Sequence, residues 1–143
     1  MTEDTLPILI VPDPRLRRKA RAITEADAEA VRALAPRMLA TMYAAPGIGL
    51  AAPQVGVELR LVVLDVGSKE RPAPMVLVNP EIVAASAETA LREEGCLSLP
   101  GQYAEVERPA RVKVRWRELD GTRREMEAEG LLGVCLQHEI EHL

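Results

Sequence analysis

At 143 residues the chain has the length of one domain with room for a real core, and 48% hydrophobic with 28% charged residues describes a folded globular protein rather than a disordered one. Aromatic residues make up only 2% and none is Phe, so the core must be aliphatic, which excludes a base-stacking platform for single-stranded nucleic acid. The net charge of −4 gives no overall attraction to a polyanion, and we expect no nucleic-acid partner.

The chain starts with the acidic MTEDTLP, which lacks an apolar signal region. No stretch approaches the length of a membrane span, so neither a leader nor a membrane partner is expected, and a cytoplasmic location follows. In that setting the two cysteines read as reduced thiols or metal ligands rather than a disulfide.

In chain order, residues 8–14 (ILIVPDP) form a short apolar strand or extended lead-in closed by a proline turn. The basic run at residues 15–21 (RLRRKAR) reads as a solvated surface patch. A helix then starts with Thr24 as N-cap and acidic residues in its first turn. Ala28, Val31, Leu34, Ala35, Met38 and Met42 recur at helical spacing and should lie on the core. Pro36 should kink this helix, and Ala45, Pro46 and Gly47 end it.

Residues 59–66 (LRLVVLDV) and 74–83 (PMVLVNPEIV) are Val-rich and read as strands. Residues 111–118 (RVKVRWRE) alternate strictly, with Val112, Val114 and Trp116 on one face, as in a half-buried antiparallel strand. Asp120-Gly121 turns this strand into the next, residues 122–129 (TRREMEAE). From about Gly130 a last helix carries Leu131, Leu132, Val134, Cys135, Leu136 and both histidines. The expectation is an α+β fold. Antiparallel strands pack around a C-terminal HExxH helix, with an N-terminal helix, in one domain over residues 1–143 without repeats or linkers.

Residues 137–143 read QHEIEHL, in which His138, Glu139 and His142 spell HExxH. Histidines four apart share one helix face and can hold one metal ion, with Glu139 placed to act as general base. A catalytic site of this kind takes three protein ligands and keeps one position open. Only Leu143 follows, so the third ligand must lie upstream, which excludes the protease layouts with a downstream ligand. Cys135 is seven residues from His142, roughly 10 Å along the helix, too far to share an ion, and reads as a buried packing residue. Elimination leaves Cys96, in residues 93–101 (EEGCLSLPG), where Gly95 permits a tight backbone and Ser98, Pro100 and Gly101 mark a loop or strand end. A structural metal site would want a fourth ligand, which the chain lacks unless Cys135 serves. Residues 47–52 (GIGLAA) also satisfy a dinucleotide-binding pattern, but they follow a helix and run into Pro53, so that reading fails.

Taken together, GIGLAAPQVG (residues 47–56), EGCLS (94–98) and QHEIEH (137–142) resemble the three signature motifs of the peptide deformylase family, in the family's order. The resemblance runs from about Ile8 to the last residue. It implies a metallohydrolase that removes the formyl group from the N-terminal formyl-methionine of newly made polypeptides, in transient proximity to the ribosome. Cys96, His138 and His142 would bind the metal, usually ferrous iron, with zinc, nickel or cobalt as substitutes. Glu139 would be general base and acid; Gln54 and the backbone N–H of Leu97 would bind the oxyanion. The backbone of Ile48 and Gly49 would pair with an extended substrate. Ile48, Val134, Cys135 and His138 would hold the methionine side chain, with Glu94 and Gly95 at the edge.

Three departures follow from the same resemblance. Glu141 stands where the family usually has Asp, which should change a contact without abolishing activity. Tyr103 stands where some relatives carry Arg near the pocket rim, so preference beyond methionine should differ. Many relatives continue past the second histidine, so a C-terminal extension is expected to be absent. The rival reading is a silent relative that binds N-acylated peptides; the complete set of catalytic residue types speaks against it.

Overall fold

A computed structural model describes residues 5–68 and 70–143 of the chain. The acidic start, residues 1–4, lies outside the described residues. The fold is mixed α and β, as the sequence indicates. A five-stranded antiparallel sheet has the order β1-β2-β3-β6-β7, built from Gly49–Ala51 (β1), Leu61–Asp65 (β2), Pro74–Ala85 (β3), Arg111–Arg117 (β6) and Arg123–Glu129 (β7). Two further strands, Thr89–Cys96 (β4) and Leu99–Pro109 (β5), pair only with each other. Helix α1 (Ala28–Ala44) covers one face of the large sheet and α2 (Gly130–Glu141) the other.

Strand β2 shows why this sandwich forms. Side chains alternate across a strand. Leu61 and Val63 pack with Val31, Met38 and Met42 of α1, whereas Val62 and Leu64 pack with Cys135 and Leu136 of α2. A strand covered on both faces is apolar throughout, and all five residues of β2 are buried. Strand β6 is covered on one face only, and it keeps the alternation read from its sequence, with Val112, Val114 and Trp116 inward. At the β6–β7 turn the N–H of Glu118 donates to the carbonyl of Thr122 (2.8 Å), and Gly121 takes a left-handed φ of 87°.

Several details differ from the sequence reading. Thr24 caps a 3-10 turn, Glu25–Asp27, which then runs into α1; the Asp27 carboxylate accepts from the Thr24 N–H at 2.9 Å. Pro36 sits within α1 without dividing it. Residues 8–14 form the extended lead-in but pair as no strand. The N–H of Leu9 donates to the Gln54 carbonyl (2.7 Å) and that of Val11 to the Ser98 carbonyl (2.9 Å). In the basic run, Arg15, Arg18 and Arg21 are ion-paired with Asp13, Glu58 and Asp27. Helix α2 stops at Glu141, so His142 is its cap, although φ −70° and ψ −11° keep it in near-helical geometry. Among the described residues no helix is long and apolar enough to cross a membrane.

Candidate active site

The site forms where three elements converge. Cys96 ends β4, His138 lies on the inner side of α2, and His142 caps that helix. The Cys96 Sγ is 3.4 Å from His142 Nε2, which is 3.2 Å from His138 Nε2. All three donor atoms lie within 4.8 Å of one another. Ligands held about 2.0–2.3 Å from one tetrahedral ion are roughly 3.3–3.6 Å apart, so this spacing fits a shared metal ion. Glu139, the residue beside His138, is 6% exposed, and its Oε1 is buried without a hydrogen-bond partner among the described residues. A Cβ added at Gly49 would fall 2.5 Å from Glu139 Oε2 and 2.9 Å from Cys135 Sγ, so only glycine leaves room for this carboxyl.

The surrounding groups orient the cluster. Glu94 Oε1 lies 3.1 Å from His138 Nδ1, and we assign the proton to Nδ1, which turns the Nε2 lone pair toward the other donors. Arg108 grips Glu94 with two hydrogen bonds of 2.6 and 2.8 Å and reaches Glu141 at 2.6 Å. Burial alone would raise the Glu94 carboxyl, but the bonds from Arg108 and His138 outweigh it and hold the group below its ordinary value. Burial, with Glu94 nearby, pushes Glu139 up to about 8. Burial, with His138 beside it, takes His142 down to about 4, so its ring is neutral and able to ligate at physiological pH. Burial likewise raises the Cys96 thiol, against the pull of the backbone N–H groups of Ser98 and Leu99.

Gln54 closes the constellation. Its Oε1 accepts from the Ala51 N–H at 2.9 Å, and its Nε2 donates to Ser98 Oγ at 3.2 Å, with Cys96 Sγ at 3.5 Å. Gln54, Cys96, Leu97, His138 and Glu139 all border one cavity of about 640 Å³.

The family model for polypeptide deformylase matches residues 5–143. The chain belongs to the polypeptide deformylase family. It is 54% identical over 138 residues to the peptide deformylase of Mesorhizobium japonicum, which covers 96% of this chain and 78% of the relative. The crystal structure of the peptide deformylase from Thermotoga maritima superposes with a TM-score of 0.90 at 42% identity, over 97% of this chain and 91% of that one. The enzyme from Acinetobacter baumannii, solved with Met-Ala-Ser bound, gives a TM-score of 0.90 at 33% identity over 97% and 92%. As a member, this chain is a deformylase, a metal-dependent hydrolase that removes the formyl group from the N-terminal formyl-methionine of newly synthesised polypeptides.

This deformylase brings most of the residues singled out in its sequence to the same cavity. Ile48 is 45% exposed and borders it together with Gly49 and Gly95. Cys135 sits behind Gly49, its Sγ 3.7 Å from the Ile48 carbonyl. Glu94 turns away to His138 and Arg108 and borders a second cavity of about 400 Å³, so it orients a histidine rather than lining the apolar wall. Val134 is not brought there; it borders a separate recess of about 370 Å³ with Arg92 and Arg108. Glu141 is the solvent side of the Arg108 pair, 63% exposed. The Tyr103 ring lies over Gly95 and borders both the 640 Å³ and the 400 Å³ cavities. Sequence reasoning missed Arg108, whose partner lies across a hairpin with no local signal, and left Ser98 without a role although it closes the second motif.

Proposed function

We propose that Cys96, His138 and His142 hold a divalent ion, ferrous iron by preference, with zinc, nickel or cobalt able to replace it. The observation that carries this is the three-donor cluster beside a buried carboxyl oxygen that no group among the described residues satisfies. Thiolate with two imidazoles suits a borderline-soft ion. When bound, such an ion supplies Lewis acidity and lowers the pKa of water from about 15.7 toward about 7.

The chain's own residues do the rest. Glu139, buried beside His138 and Gly49, takes the proton of the attacking water and returns it to the departing amine, so formyl-methionine plus water gives formate and a free N-terminus. Gln54 Nε2 and the Leu97 N–H donate to the oxyanion at the formyl carbon, each worth about 10²- to 10³-fold in rate. The substrate backbone extends along the free edge of β1. The Ile48 carbonyl already accepts from the Asp65 N–H at 2.9 Å, so the antiparallel alternation turns Gly49, not Ile48, toward the cavity for that pairing. The methionine side chain packs by Ile48, with Cys135 and His138 behind it and Gly95 at the edge, while Glu94 and Val134 face other recesses. Residues 1–143 act as one catalytic domain, in the cytoplasm and close to the ribosome where formylated chains arise.

The test is formate release from formyl-Met-Ala-Ser by protein purified without oxygen and loaded with ferrous iron or nickel. Turnover that vanishes in Glu139→Ala while the metal content stays unchanged is expected. Metal bound without turnover in the parent would overturn the reading in favour of a silent peptide-binding protein.

A further inference from the structure

Four of the large hydrophobic residues that stand exposed, Ile10, Ile48, Leu99 and Tyr103, border the same cavity of about 640 Å³. Single exposed apolar residues are ordinary, but several around one opening mark a surface that meets a ligand. They form two walls. Ile10 belongs to the extended lead-in and Ile48 to the approach to β1, whereas Leu99 and Tyr103 lie on β5. Among the described residues no Lys or Arg borders this cavity, and its titratable pair, His138 and Glu139, belongs to the catalytic end. The opening therefore offers contact surface rather than charge.

Tyr103 is the most exposed of the four, at 68%, and yet it is held. The β4–β5 register sets it opposite Gly95, where a Cβ would fall 2.5 Å from its ring. The missing side chain lets the ring settle against the backbone on one side, while the remainder stays open to the cavity. A ring fixed before binding loses little conformational freedom on contact. A peptide running extended along β1 alternates its side chains, so its first and third residues point the same way, about 7 Å apart. The first, methionine, has His138 behind it. Tyr103 borders the second cavity, of about 400 Å³, together with His138, whereas Ile8 and Ile10 border only the first. The third residue is thus turned toward Tyr103 and the second toward the lead-in.

We propose that Tyr103 makes this deformylase selective for polypeptides whose third residue is aromatic. Packing of ring on ring is worth about two- to tenfold in affinity beyond the area it buries. The inference rests on the substrate path along β1 given above.

The test compares formyl-Met-Ala-Phe amide with formyl-Met-Ala-Leu amide, two apolar third residues that differ in the ring, with the terminal carboxylate removed from both. The readout is the ratio of their kcat/KM values, which does not depend on how much of a preparation is folded. In the metal-loaded parent Phe should exceed Leu at least about threefold, and Tyr103→Ala should bring the ratio below about 1.5. Tyr103→Phe keeps the ring and should keep the preference. Calorimetric binding of the products, Met-Ala-Phe amide and Met-Ala-Leu amide, should give the same ratio of Kd values. Because that measurement needs no turnover, failure of the catalytic assignment and failure of the selectivity are read separately. A parent that binds the two products equally, or a Phe preference that survives in Tyr103→Ala, would overturn the proposal.

Discussion

At the scale of single residues, the amide of Gln54 is held at both ends. An amide nitrogen carries two hydrogens; Ser98 Oγ takes one at 3.2 Å, while the Ala51 N–H anchors the oxygen at 2.9 Å, and the second hydrogen lies on the side of Cys96 Sγ, 3.5 Å away at the cavity wall. Ser98, 1% exposed, thus sets the angle at which Gln54 donates without touching substrate. We expect Ser98→Ala to lower kcat about tenfold while KM stays within about twofold, the pattern of an interaction made only in the transition state; a rise in KM alone would contradict it. The cluster was legible in the sequence because the chain has only two histidines and Cys135 is too far along the helix. Arg108 was not legible, since its bond to Glu94 joins residues 14 apart across β4 and β5, where sequence shows only exposed charge.

At the scale of elements, β2 and β6 could be read because burial imposes a pattern: unbroken apolar for two covered faces, alternation for one. The β4–β5 hairpin imposes none. Most of its side chains are exposed, so pairing alone defines it, and TALREEGC carries no periodicity to betray a strand. A two-stranded ribbon is marginal by itself, yet this one carries Cys96. A metal ion shared with α2 would be its anchor. Chelation should therefore raise amide hydrogen exchange in β4 several-fold while β2, buried on both faces, stays protected. Equal exchange in β4 before and after metal removal would mean that the hairpin is held by the Glu94–Arg108 contacts alone.

At the scale of the whole molecule, Asp65 ties the layers together. Its carboxylate accepts from Tyr43 Oη at 2.6 Å, at the end of α1, and from the N–H groups of Gly67 and Ala73. The Tyr43 bond, with those of Ala73 and Gly67, holds it below the ordinary carboxylate value against the opposing effect of burial. A depressed acid contributes stability that is present above its unfolded pKa of about 3.9 and is lost as pH falls through the folded value. Tyr43→Phe should cost about 1–2 kcal/mol at neutral pH, and the gap to the parent should narrow below about pH 4, as read by denaturant midpoints; a pH-independent gap would exclude Asp65 as the cause.

The lead-in strap has a consequence on the same scale. Leu9 and Val11 tie the carbonyls of Gln54 and Ser98 together, and the Ala20 N–H donates to the carbonyl of Leu143 at 3.1 Å. Residues 9 and 11 thus hold the backbones of Gln54 and Ser98, and residue 20 holds that of Leu143, next to His142. Loss of the strap over residues 5–13 should therefore loosen Gln54 and Ser98 and lower turnover even though it removes no metal-binding side chain.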